Sequence, residues 1–335
     1  MIARRVRAFG AKRLAAYAAT WIIWGSTYLA IRLAVAVVPP FLLAGVRSVL
    51  AGSILVGWAL LRGEPRPRRA QVKAALVVGA LFFLVGHGGL FWAEQHVASG
   101  PAALMIATEH FWMLIAGLII GQVVATRRAW GGVAVGLAGV ALLTLGGSAR
   151  GGVDPVGAVV LLVSSAAWGV GTLYFTGERK PRSQAYAAGI PLLGGGALLL
   201  GLSTVTGEPS RFALGEVTAV AAGALLYLVV FGSVVAFTAY SWLVEREGPS
   251  RALSFTYVNP LVAVLLGALF AHEPLTLRIA AAAAAIVAAV VLIVGGTASR
   301  PTRAEAAEPP LAPRPRRRTA AHGAWPHRTT IRSRT

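Results

Sequence analysis

From residue 14 to residue 296, apolar runs about twenty residues long alternate with short polar clusters. At about 1.5 Å rise per residue, a helical run of that length crosses the hydrocarbon core of a bilayer. The pattern predicts spans at 14–35, 40–61, 74–93, 100–121, 129–146, 155–176, 185–206, 217–243, 251–271 and 277–296. The breaks between them are Pro39-Pro40, Gly63-Glu64-Pro65, Ser99-Gly100-Pro101, Arg127-Arg128, Asp154-Pro155, Lys180-Pro181, Glu208-Pro209, Gly248-Pro249 and Glu273-Pro274. Nearly all join a helix breaker to charged or small polar residues. The expected fold is all-α: a polytopic membrane protein of ten transmembrane helices.

Positive charge orients these spans. Of the 31 Lys and Arg residues, 26 fall on the N-terminus, the C-terminal tail and alternate loops. Only Arg150, Arg211 and Arg278 fall in the opposite loops, and Arg32 and Arg47 lie within spans. By the positive-inside rule both termini are expected in the cytoplasm of a protein of the plasma or inner membrane. Arg4-Arg5 before an apolar run also fits a twin-arginine signal, but the run is long for a signal core, so a cytoplasmic flank is expected. The net charge of +19 could suggest a nucleic-acid partner. Its placement follows membrane topology instead, so none is expected. Cysteine is absent, which removes disulfides, thiolate metal sites and thiol nucleophiles.

A duplication is also legible. Trp24-Gly25 recurs as Trp168-Gly169, and Gly100-Pro101 as Gly248-Pro249. At an offset of 150, Glu109-His110 faces Asn259-Pro260, Arg128 faces Arg278, and the run 140–143 faces 290–293. A five-helix unit is odd, so its repeat is inverted in the membrane, an arrangement that places substrate between the halves near the midplane. The expected organisation is a basic N-terminus at 1–13, two inverted five-helix repeats at 14–146 and 147–296, and a tail at 297–335. That tail is rich in Pro, Arg and Ala and reads as disordered, with anionic lipid headgroups as its natural partner.

The stretch Trp24-Gly25-Ser26-Thr27-Tyr28-Leu29-Ala30-Ile31-Arg32 resembles the first-helix motif of the drug/metabolite transporter superfamily, in its EamA-like branch. Pro40 with Arg47 and Ala51-Gly52 is similar to that family's second helix. The stretch 93–104 is similar to its third-to-fourth junction, and Asn259-Pro260 with Glu273-Pro274 to its ninth-helix signature. The resemblance spans roughly 14–296 and implies ten helices in two inverted halves exporting small organic compounds through a central cavity. Two positions depart from it. His110, preceded by Glu109, stands where the family usually has Pro, and Gly121-Gln122 ends the fourth helix where many members have Glu.

Glu109 is the leading functional candidate, because an ionised carboxylate in a span is costly unless paired or solvated. It is expected either to bind protons or a cationic group beside His110, or to pair structurally with Arg47 or Arg32. Arg32 can snorkel to the surface. Arg47 is deeper, in a packing or substrate role, and His87 is either a locally bonded histidine or a proton group. Trp24, Tyr28 and Trp168 are candidates to line an aromatic cavity. Asn259 and Pro260 are candidates for a helix interruption that frees a carbonyl. Glu94 and Glu273 are expected near the outer surface, as helix caps or gates.

No phosphate-cradling loop, HExxH pair or carboxylate cluster is present, so neither enzyme nor cofactor nor metal is expected. The expected function is a secondary transporter or facilitator that exports small metabolites, amino-acid-like or otherwise, by alternating access. Its partners are a small-molecule substrate and membrane lipids, and a homodimer is open to it. Two alternatives stay open: an intramembrane lipid-modifying enzyme drawing on Glu94, His96 and Glu273, and a sensor or scaffold acting through the basic tail.

Overall fold

The computed structural model describes residues 2–144 and 153–299, without the side chains of 2–9, 177, 249–250 and 298–299. Arg150 and the tail from residue 300 lie outside the described residues. Helix α1 covers 2–35 and contains a π-helical turn at Ala19–Ile23. It is followed by α2 (Pro40–Leu61), α3 (Arg69–Ala93), α4 (Ser99–Ile106), α5 (Glu109–Ile119), α6 (Arg127–Thr144) and α7 (Pro155–Tyr174). Next come α8 (Gln184–Val205), α9 (Ala219–Glu247), α10 (Pro249–Ala252), α11 (Phe255–Phe270) and α12 (Leu277–Gly296).

Eight helical stretches among the described residues are long and apolar enough to span a membrane, with α4 and α5 counted as one. The expected span at 129–146 ends outside the described residues, at 145–146, and α6 is described only from Arg127 to Thr144. The expected span at 251–271 is divided, because a turn at Leu253-Ser254 separates the 16 residues of α11 from α10. A matching turn at Ala107-Thr108 divides α4 from α5. The first helix begins at Ile2 rather than 14. Thr297–Ser299 forms a short strand antiparallel to Val123–Ala125.

Two antiparallel helix pairs frame the bundle. Glu208, just past the end of α8, accepts hydrogen bonds from Phe41 N and Leu42 N at the start of α2. Glu64, just past the end of α2, accepts from the Ser183 hydroxyl at the start of α8. Both glutamates follow a glycine with positive φ, Gly63 at 62° and Gly207 at 70°, which closes the helix and turns the chain toward its partner. Helices α6 and α12 form the second pair. The Thr126 amide and hydroxyl both donate to Gly296 O at 2.9 Å. Along that contact a Cβ at Gly132 would sit 2.8 Å from the Ala289 carbonyl oxygen, so glycine sets the helix separation.

A further contact recurs. A Cβ at Gly25 would come within 2.6 Å of Val262 and 3.3 Å of Asn259 Cα, so α1 rests on α11 there. A Cβ at Gly169 would come within 2.7 Å of Glu109 O, so α7 rests on α5. The glycine of each repeated Trp-Gly pair therefore admits the helix that carries Asn259 or Glu109. Helices α3 and α9 also share a π-helical segment, at Ala80–His87 and Leu228–Val235. Such segments interrupt regular i→i−4 bonding and are frequent at functional sites.

Candidate functional site

The Trp-Gly packing brings the two tryptophans together in the middle of the bundle. Their ring centroids lie 5.7 Å apart, nearly edge to face at 76°. Trp24 Nε1 donates to Gly232 O in the π-segment of α9 at 2.9 Å. The Trp168 ring fills the space where a side chain at Gly86, in the π-segment of α3, would stand. Phe255 packs edge-on to Trp24 at 4.7 Å, and Phe82 stacks on Trp168 at 4.2 Å. Aromatic pairs at these geometries add attraction beyond the area they bury.

Beside this cluster is a small cavity of about 40 Å³, room for two or three waters. Trp24, Tyr28, Arg47, His87, Glu109, Trp168 and Asn259 all line it, together with Thr27, Ile31, Gly86, Leu90, Ile106 and Phe255. Seven of the nine binding or coupling candidates named from the sequence thus converge on one space. His110 faces elsewhere: its Nδ1 lies 3.0 Å from Thr256 Oγ1, and its ring is 5.8 Å from that of Tyr257. Pro260 is buried inside α11 and does not line the cavity.

Arg47 is only 2% exposed. Its Nε donates to Ser233 Oγ at 2.8 Å, and its guanidinium carbon lies 5.5 Å from the Phe91 ring centroid. Ser233 in turn donates to Leu228 O, a bond five residues long within the π-segment. Glu109 begins α5 directly after the turn at Ala107-Thr108, where Thr108 Oγ1 bonds Met105 O and Ser165 Oγ. It is 1% exposed, and its Oε2 has no hydrogen-bond partner among the described residues. The structural pairing expected for Glu109 is not formed: neither Arg47 nor Arg32 makes an ion pair with it within 4.0 Å. Arg32 is partly buried and donates to the backbone carbonyl of Glu94 instead of reaching for the surface.

His87 packs edge-on against Phe83 at 4.9 Å and tilts over Trp168 at 5.5 Å, with Nδ1 unbonded among the described residues. In the orientation that satisfies its surroundings, the Asn259 amide nitrogen donates to Trp21 O at 2.8 Å, Phe255 O at 3.1 Å and Thr20 O at 3.3 Å. Asn259 therefore serves carbonyls at the π-turn of α1. The sequence pointed to a carbonyl freed by Pro260, whereas the Asn259 amide bonds Phe255 O on its own helix and two carbonyls of α1.

Glu273 and Glu94 differ from one another. The Glu273 carboxylate accepts from Ser99 N at 2.8 Å and Gly100 N at 3.1 Å, capping the start of α4. Glu94 was expected near the surface, yet it is completely buried and neither carboxyl oxygen has a partner among the described residues. It ends α3 where the chain folds under Arg32. Glu273 is bonded to backbone amides, Glu94 is buried and His96 is exposed, so the three side chains stand in different surroundings.

Toward the arginine-rich end, Phe82, Phe237 and Tyr240 back the two tryptophans and also line a second space of about 10 Å³. Lys180 closes that space, donating to Ser241 O, with Glu245 3.8 Å away. Burial lowers the Lys180 ammonium to about 8, an effect Glu245 partly offsets. Neither this layer nor Ser233 was evident in the sequence. The available signals were Gly86 and Gly232, small residues inside apolar helices that admit large neighbours.

A bundle of long apolar helices in two similar halves, around a small aromatic-lined cavity that holds a few ionisable groups, suits a transporter. The EamA-like transporter family model matches residues 14–145 and again residues 155–295, and the chain belongs to that family. It is a multi-pass membrane transporter acting on small molecules. A relative in Escherichia coli K12, described as the uncharacterized inner membrane transporter YedA, is 39% identical over 261 residues, covering 77% of this chain and 82% of its own. The uncharacterized transporter YvbV of Bacillus subtilis is 28% identical over 271 residues, 78% of this chain and 84% of its own. Protein PecM of Dickeya dadantii is 26% identical over 257 residues, 76% and 82%. A crystal structure covering 84% of this chain and 97% of its own has the same fold, at a TM-score of 0.58 and 19% identity.

Proposed function

We propose that the chain is a secondary transporter that crosses the membrane ten times as two inverted halves, with both termini in the cytoplasm, and exports small zwitterionic metabolites. The observation that carries this reading is the pair Arg47 and Glu109. Both are buried, both line one small cavity, and they are not joined to each other. A cation and an acid left apart across an aromatic box suit a ligand with a carboxylate for Arg47, an ammonium for Glu109 and an apolar group against Trp24 and Trp168. In the absence of such a ligand Glu109 takes a proton, which couples substrate movement to a proton gradient. A cavity of about 40 Å³ is far below the roughly 300 Å³ or more of a small-molecule site. The described conformation is therefore read as occluded, and alternating access supplies the opening.

The ten-crossing reading is supported by the 26-to-3 division of basic residues and by the doubled family match. It counts α6 and α10–α11 as crossings that depend on their neighbours for insertion. The test uses purified protein in liposomes with an imposed pH gradient, no ATP and a panel of radiolabelled amino acids. Saturable flux driven by the gradient is expected, and Glu109→Gln should abolish its pH dependence. Absence of flux and binding across zwitterions, with flux of uncharged solutes instead, would overturn the substrate class.

A further inference from the structure

The cavity does not use Glu94, whose placement is the most costly in the molecule on elementary grounds. It is a fully buried carboxyl, with both oxygens lacking a hydrogen-bond partner among the described residues. An ionised carboxylate in that position should recruit the nearest cation. Arg32 is adjacent, yet it bonds Glu94 through the backbone carbonyl, and no ion pair forms between the two side chains within 4.0 Å. The other charge facing Glu94 is Glu273, a like charge already satisfied by two backbone amides. This arrangement suits a neutral carboxylic acid and penalises a carboxylate.

The helices tie this acid to the cavity. Leu90 lines the cavity, and Glu94 follows it by one turn at the end of α3. On α1, Tyr28 lines the cavity and Arg32 follows it by one turn. Tyr28 is thus a buried phenol in the same cavity wall as Glu109 and on the same helix as Arg32, which bonds Glu94. We propose that Glu94 is a proton-binding site at the arginine-poor end, the outer station of a two-carboxyl path whose inner station is Glu109. A proton from water binds one Glu94 oxygen. The Tyr28 hydroxyl accepts a proton from that side as it gives its own to Glu109, so no proton is created or lost. Arg32 and Glu273 set the charge around the outer station, and Tyr28 bridges it to the inner one. The path rests on the reading of Glu109 as the coupling acid, whereas the Glu94 site itself does not.

Infrared difference spectroscopy of the full-length protein in lipid, with a pH jump as the only stimulus and the proton as the only ligand, tests both. Two protonated-carboxyl bands are expected, each shifting in D₂O. Glu94→Gln should delete one band and slow protonation of the other at least tenfold, without moving its midpoint. Glu94→Asp should restore a band, and thermal unfolding of both variants checks that they are folded. Loss of no band in Glu94→Gln overturns the site. Loss of one band with unchanged kinetics of the other overturns the path. If Glu109→Gln instead deletes no band, the coupling role of Glu109 fails, while Glu94 is judged by its own band.

Discussion

Residues 14–145 and 155–295 carry the same joining devices but different chemistry. Each half has a 22-residue helix closed by a positive-φ glycine and a glutamate that reaches its partner's start. Each has a Trp-Gly pair whose glycine admits a neighbouring helix, and a π-segment in its third long helix. Yet the ionisable side chains of the cavity, Tyr28, Arg47, His87 and Glu109, all come from the first half. The second half contributes Trp168, Phe255 and Asn259. Arg47 corresponds at the offset of 144 to Pro191, and Glu109 at 150 to Asn259. Packing constrains both copies equally because each half's helices close against the other's. A binding site needs each charge only once, so duplicated charge would add burial cost without adding a contact.

The largest expected effect sets Glu109 against its counterpart. Glu109→Gln should lower gradient-driven flux at least tenfold with little change in unfolding temperature. Asn259→Ala should do the reverse. It removes the side-chain amide that bonds the Trp21 and Phe255 carbonyls, which costs about 1 kcal/mol of stability, while flux per folded molecule stays within about twofold. Flux assays paired with thermal unfolding decide the matter. An Asn259→Ala protein that is stable but inactive would break the division between a chemical half and a structural half.

Much of this division was legible in the sequence because it depends on rare residues in apolar surroundings. Glu109, Arg47 and His87 stand out in any hydropathy reading, and each meets the cavity. The repeated Trp-Gly pair stood out by recurrence. His110 did not follow, because adjacent helical residues point about 100° apart and Glu109 takes the cavity side. Phe82, Phe237 and Tyr240 carried no signal, since an aromatic residue in a span is ordinary until its neighbours are known. The burial of Glu94 was not legible for a related reason. Its position beside the loop at 95–98 suggests exposure, whereas the fold of that loop under Arg32 removes it from water. The short helix α11 reflects a turn at Leu253-Ser254 that a window of about twenty residues averages away.

Next in size are the matched caps. Glu208→Gln weakens bonds to two backbone amides, at 3.2 and 2.7 Å, and should cost about 1–2 kcal/mol. Glu64→Gln weakens a bond to one hydroxyl, and about 1 kcal/mol or less is expected. Denaturation of the single variants and the double variant in the same lipid should give this order with additive losses, since the caps lie at opposite ends of the α2–α8 pair. Strong coupling between them would mean that the pair opens as one unit. Smaller and more nearly equal effects are expected at the glycines before the caps. Gly63→Ala and Gly207→Ala each force a left-handed backbone on alanine at about 1 kcal/mol. A difference above about 0.5 kcal/mol between them would show that one helix end bears more load than the other.

The last expected effect, confined to alkaline pH, concerns Lys180, a second-half ionisable group that lies at the arginine-rich mouth rather than in the cavity. Burial holds its folded-state value at about 8, below the ordinary 10.5 that an unfolded chain retains. Between these values the unfolded chain binds more protons than the folded one, so the stability contributed by this group rises as pH climbs from about 8 to 10.5. Below about 8 both states are protonated, and the folded state bears a constant penalty. Lys180→Gln removes the titration, so the stability of wild type relative to this variant should increase across that window. About 1–2 kcal/mol is expected, less than the full linkage value because the side chain retains some contact with water. Chemical denaturation of both proteins at matched pH values measures the difference directly. A flat difference would mean that Ser241 and Glu245 stabilise the ammonium as well as water does. The second half would then hold its charge without penalty, and the cost of buried charge would fall on the first half alone.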